Sequence, residues 1–115
     1  MLKLAILVKR NDALTPEQFR HHLAVRHAGL VKACPASSRY IRGYVQSFVR
    51  AEEHTAHDGT ATSYDALVEL WFDNQTEMER FYADPEYVAN VQPDEPNFAD
   101  IAGCAFMITE ENRVL

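Results

Sequence analysis

Apolar and polar positions cluster and break along this chain in a pattern that separates six elements. Residues 2–9, LKLAILVK, form an apolar run rich enough for a buried strand, and Asn11-Asp12 breaks it. Thr15-Pro16-Glu17-Gln18 then carries three concurring helix-start signals: Thr at the N-cap, Pro at the first helical position and Gln at the third. The pattern predicts a helix to about Ala33, because Pro35 disfavours helical geometry at Cys34. Gly29 weakens its second half. Residues 39–50, RYIRGYVQSFVR, are dense in Tyr, Ile, Val and Phe and read as a strand.

The segment 51–63 is almost purely polar, with Asp58-Gly59 as a turn signal. It is long for a hairpin connection, which predicts the most mobile internal segment and a candidate lid. Residues 64–73, YDALVELWFD, give the strongest strand signal. Thr76 and Glu79 are spaced as a second capping box, opening a short helix that Pro85 stops. Asp84-Pro85 restarts a helix through about Val91, PDEPNFAD reads as an acidic loop, and residues 101–109, IAGCAFMIT, read as the last strand.

The order β-α-β-β-α-β predicts an α+β, ferredoxin-like fold: a four-stranded antiparallel sheet with helices on one face. Such a sheet should alternate cleanly between apolar and polar faces. This one does not. In the third strand one face carries Tyr64, Ala66, Val68, Leu70 and Phe72, and the other carries Asp65, Leu67, Glu69, Trp71 and Asp73. In the fourth strand both faces are apolar. The helices can cover one side only, so the expected cover for the other is a second copy, with the two sheets packed face to face in a homodimer.

Composition narrows the class. The chain has 115 residues, 47% hydrophobic and 24% charged, which fits a single folded domain over residues 1–115. Lys and Arg total 11 against 17 Asp and Glu, a net charge of −6, so the basic footprint of a nucleic-acid binder is missing. No uninterrupted apolar run is longer than Leu4 to Val8, which falls far short of the roughly 20 residues of a membrane helix. It is also too short for a signal-peptide core, so the expectation is a soluble cytoplasmic protein with no membrane or nucleic-acid partner. Cys34 and Cys104 show no metal-ligand or C-x-x-C spacing and are expected as two buried thiols in a reducing compartment, with a disulfide between them as the alternative.

Two polar residues interrupt apolar faces. On a helical wheel with Phe19 at zero, Leu30 falls near about 20°, Leu23 about 40°, Cys34 about 60°, His27 about 80° and Val31 about 120°. His27 thus points at the sheet, while His21 and His22 point elsewhere. It reads either as a core histidine satisfied by one hydrogen bond or as a proton-transfer group, since an unperturbed imidazole titrates near ~6.5. Glu69 sits between Leu67 and Trp71 on one strand face, where it is either an ion-pair partner of Arg39, Arg42 or Arg50 or a general acid–base group. Tyr40 and Tyr44 share a face of the second strand, as aromatic packing or as donors to a substrate oxygen. The expected site has His27, Glu69 and Tyr40 in catalytic roles, with His27 and Glu69 lining one cavity, and Tyr44, Trp71, Phe19 and Leu23 as its substrate-binding walls. His54, His57 and Asp58 lack the partner spacing of a metal site, so no metal is expected. Phosphate-binding glycine loops and the nucleophile elbow are absent from the sequence.

The segments KLAILVKR, LTPEQFRHHLAVRHAGLV, RYIRGYVQSFV and YDALVELWFD together resemble the EthD family of the dimeric α+β barrel superfamily. The most specific piece is Phe19 followed eight residues on by His27-Ala28, with Leu30-Val31 closing the pattern. The resemblance implies a ferredoxin-like fold, a face-to-face homodimer and a pocket between sheet and helices. Similar proteins include a methylmuconolactone methylisomerase and fungal dehydratases acting on aromatic polyketides. That implies a lyase or isomerase using acid–base chemistry, without a bound cofactor, on a small oxygenated and aromatic-derived substrate. His27 and Tyr40 lie where the isomerase-like members place active-site groups. Where those members carry a cysteine after the strand-three glutamate, this chain has Leu70. Two alternatives accompany this reading: a small-ligand-binding accessory protein of an oxidative pathway, and a haem-degrading monooxygenase. The last needs cations for the propionates, against which the net charge of −6 weighs.

Overall fold

The computed structural model describes residues 1–50, 59 and 62–115. Most of the polar segment 51–63, with its expected mobility and lid role, lies outside the described residues, as do His54, His57 and Asp58. Four strands, β1 (Leu2–Val8), β2 (Ile41–Phe48), β3 (Ala66–Phe72) and β4 (Ala105–Glu110), form one antiparallel sheet in the order β2-β3-β1-β4. This is the ferredoxin-like topology. No helix of the described residues is long and apolar enough to cross a membrane.

The first helix starts where its caps dictate. Thr15 Oγ1 accepts from the Gln18 amide, and the Gln18 side chain accepts from the Thr15 amide, which satisfies two otherwise orphaned donors. The helix runs as α1 (Pro16–His21), a π-helical turn (His22–His27) and α2 (Ala28–Ala33). The π turn was not legible from a uniform wheel, and it rotates the residues beyond it. Leu30, expected on the apolar arc, is exposed, while Val31 and Cys34 remain buried. Pro35 then opens a further helix, α3 (Pro35–Tyr40), so β2 begins at Ile41 rather than at residue 39. Asn74, not Thr76, caps α4 (Gln75–Ala83) by accepting from the Glu77 amide. Asp84 caps α5 (Pro85–Asn90), as its Asp-Pro sequence predicts. The acidic segment is no loop. It forms a 3-10 turn (Gln92–Asp94) and a short α6 (Glu95–Phe98), and a second 3-10 turn (Ile101–Gly103) delays β4 to Ala105.

The core lies between the helices and one sheet face. Ala66, Val68, Leu70 and Phe72 of β3 are all buried there, with Leu4 and Val8 of β1, Phe19 and Leu23 of the first helix, and Phe81, Tyr87, Val91 and Phe98 from the second half. Because strand side chains alternate, Leu67, Glu69 and Trp71 point to the opposite face. No helix among the described residues covers that face. Trp71 lies across Gly43, where an added Cβ would come within 2.9 Å of its ring, and Val45 and Met107 are 45% and 47% exposed.

The candidate active site

A cavity of about 100 Å³ opens between the first helix, the sheet and the α5–α6 segment. Leu23, Val68, Leu70, Phe81, Val91 and Phe98 give it an apolar lining, and the exposed Ile101 and Phe106 are among its walls. Its polar groups are few: His27, Tyr44, Tyr82, Tyr87, Glu95 and Cys104. A mostly apolar concavity with a few convergent polar groups is the form a small-molecule site takes.

His27 is buried in this wall, 7% exposed. Its Nδ1 lies 3.0 Å from Asp94 Oδ2, and its ring packs on Phe98 at 4.7 Å between centroids. The second carboxylate oxygen, Oδ1, holds His22 Nε2 at 2.8 Å and accepts from Asn97 Nδ2 at 3.2 Å. Burial pushes the Asp94 carboxyl up, but hydrogen bonds from His22, Asn97 and His27 outweigh it and hold the group below the usual aspartate range. An ionised Asp94 can only accept, so Nδ1 of His27 is the donor in this bond, and in the neutral ring Nε2 is then the acceptor. Nε2 has no protein hydrogen-bond partner among the described residues. A carboxylate stands against imidazole in the same way in hydrolase triads, where it orients the ring.

Tyr44 on β2 supplies a donor. Gln46 Nε2 donates to its hydroxyl oxygen at 2.7 Å and to the Leu23 carbonyl at 3.0 Å, which orients the phenol and leaves its own proton free to donate. Burial raises the Tyr44 pKa, the Gln46 bond opposes this, and the charge of Glu95 adds to the rise, so the hydroxyl stays protonated. Burial followed by the Glu95 charge likewise keeps Tyr82 neutral. Burial, then its hydrogen bond to Glu95, does the same for Tyr87.

The expected residues separate. Leu23 and Tyr44 join His27 in the cavity. Glu69 does not: strand alternation puts it on the uncovered face, where Lys3 Nζ donates to it at 2.8 Å. Its partner is therefore Lys3 of the neighbouring β1, not Arg39, Arg42 or Arg50, and the shared cavity with His27 is corrected. Trp71 follows Glu69 to that face, where its indole N–H donates to Glu111 at 2.6 Å. Tyr40 ends α3 instead of sharing a strand face with Tyr44, and it packs against the core beside Arg39. Phe19 is buried core away from the cavity lining. Cys34 is buried, whereas Cys104 is only partly so, and neither forms a disulfide.

Sequence reasoning missed His22, Asp94 and Glu95. Five residues apart, His22 and His27 diverge by about 140° on an ideal α-helix, but an i to i+5 turn stacks them. The Ala28 amide donates to the Leu23 carbonyl and closes that turn. The five-residue histidine spacing was the available signal, and it becomes readable only with the π turn in place.

The chain matches the EthD domain model over residues 11–102. It is 29% identical over 110 residues, 96% of each chain, to an uncharacterized 11.0 kDa protein from the thcB-thcC intergenic region of Rhodococcus erythropolis. It is 28% identical over 103 residues, 84% of this chain and 68% of the relative, to the dehydratase aurZ of Gibberella zeae. Among solved structures, an ethyl tert-butyl ether D family protein from Bacillus halodurans superposes with a TM-score of 0.72 at 20% identity, covering 97% of this chain and 99% of the other. A protein of unknown function from Bacteroides fragilis, described as dimeric and ferredoxin-like, gives 0.66 at 18% identity over 96% and 95% of the two chains. With most of its length under that family model, the chain belongs to the EthD domain family.

Proposed function

We propose that this protein is a lyase that dehydrates a small β-hydroxy carbonyl compound with its own side chains as acid and base. The observation that carries this reading is the bond from His27 to Asp94 at the wall of an apolar cavity, and the 28% identity to a dehydratase supports it. His27 Nε2 takes the proton from the carbon next to the carbonyl. The electron pair of that C–H bond moves onto the carbonyl oxygen, where the Tyr44 O–H donates a hydrogen bond to the developing enolate. The enolate then collapses: a carbon–carbon double bond forms, the β carbon–oxygen bond breaks, and hydroxide leaves with the proton from His27 Nε2 as water. His27 returns to its starting state.

Proton abstraction can be tested without the natural substrate. Acetophenone in heavy water should exchange its methyl protons for deuterium faster with the protein than without it, read by NMR. His27→Ala should cut the protein-dependent rate at least about 100-fold. An unchanged rate in a folded His27→Ala protein overturns the assignment, and no exchange by the wild type favours the ligand-binding reading instead.

The proposed working form is a homodimer. Leu67 and Trp71 stay partly exposed within one chain, Val45 and Met107 are exposed, and the Lys3–Glu69 pair sits among them. A second copy laid on this face would bury that apolar surface.

A further inference from the structure

We propose that Glu95 makes this a cavity for uncharged hydroxylated ligands, phenols and enols above all, and that it rejects carboxylates of the same shape. The proposal deepens the lyase reading by naming a substrate class and rests on the same cavity.

Among the described residues no Lys or Arg lines the cavity, so no fixed cation is there to receive an anionic ligand. Glu95 is the one carboxylate among those lining residues, and it accepts a hydrogen bond from the neutral hydroxyl of Tyr87. A neutral donor does not cancel its charge. That charge reaches all around the space: burial is the larger cause of the raised pKa of Tyr44 on β2, Tyr82 on α4, Tyr87 on α5 and Cys104 just before β4, and the Glu95 charge adds to each. A ligand among those four groups sits in the same field. His27 does not offset it, because Asp94 already stands against its ring.

The neutral groups favour the opposite kind of ligand. The Tyr44 hydroxyl has a proton to donate, Glu95 can accept one from a ligand O–H, and aromatic rings from Phe81, Tyr82, Tyr87 and Phe98 flank the space. A ring bearing a hydroxyl satisfies all three. A ring bearing a carboxylate would enter a low-dielectric site with no counter-charge and a like charge beside it, which costs far more than it would in water.

Phenol and benzoate at neutral pH are matched probes, one uncharged and one anionic. Binding is read in the intact protein by methyl chemical-shift titration of Leu23, Val31 and Val68, all lining the cavity. The expected result is phenol binding with benzoate at least about tenfold weaker, a gap of about 1.4 kcal/mol. Glu95→Gln keeps an acceptor for Tyr87 and removes the charge, and it should shrink the gap to under about threefold. Tyr87→Phe keeps the charge and should keep the gap. Equal binding of the two probes, failure of phenol to bind, a gap untouched by Glu95→Gln, or one closed by Tyr87→Phe overturns the proposal. The test needs no turnover, so selective binding by an inactive protein would leave it standing while the lyase reading falls.

Discussion

Asp94 joins His27 to His22 through its two carboxylate oxygens, at 3.0 and 2.8 Å. The bond to Nδ1 makes Asp94 the group that sets which nitrogen of a neutral His27 ring carries the proton. Asp94→Asn presents an amide that can donate to Nδ1 and so stabilise the wrong tautomer. Deuterium exchange into acetophenone should fall by about 100-fold or more, with fold and oligomeric state retained. His22→Ala removes one of three hydrogen bonds to the carboxylate and should have the smaller effect.

The same carboxylate gives a pH signature. Its pKa is lower in the folded chain than in the unfolded one, so its contribution to stability is fully present above the ordinary aspartate value of about 3.9. That contribution is lost as pH falls through the lower folded value. Urea unfolding at stepped pH should show wild type losing stability below about pH 4, with a shallower loss in Asp94→Asn.

Glu69 serves as the control across the sheet. Because it bonds Lys3 on the uncovered face, Glu69→Gln should leave the exchange rate within about twofold of wild type. A loss comparable to that of His27→Ala would show that the two carboxylate-bearing faces communicate.

The uncovered face predicts assembly. Sedimentation at micromolar concentration should give a dimer burying more than roughly 1,000 Å². Val45→Asp places a charge in the middle of that face, beside Glu69 in the strand register, and should give a monomer. A monomeric wild type would rule out the dimer.

The opening of the first helix and the topology were readable because each rests on local chemistry. Thr15, Pro16 and Gln18 dictate the helix start whatever surrounds them, and Thr15→Ala should cost about 1 kcal/mol in urea unfolding. The two-sided apolar pattern of β3 was equally local, since alternation alone assigns Glu69 and Val68 to opposite faces. What alternation does not contain is which face the helices choose, and that single bit separated Glu69 from His27. The π turn was hidden for a different reason. It is a packing solution, not a propensity, and it alone brings His22 into line with His27 and over Asp94. Asp94 and Glu95 were unreadable in turn because a run of Pro, Asp, Glu and Asn looks like solvated loop until Phe98 anchors it in the core.

The tautomer of His27 is the most direct test, and it needs no substrate. Long-range nitrogen–proton correlation NMR on the nitrogen-15-labelled protein distinguishes the two neutral forms of the ring. In its neutral form His27 should carry its proton on Nδ1, against Asp94, with Nε2 unprotonated and available as the base. A proton on Nε2 would leave the imidazole without a free acceptor on that side and contradict the assignment of His27 as the base.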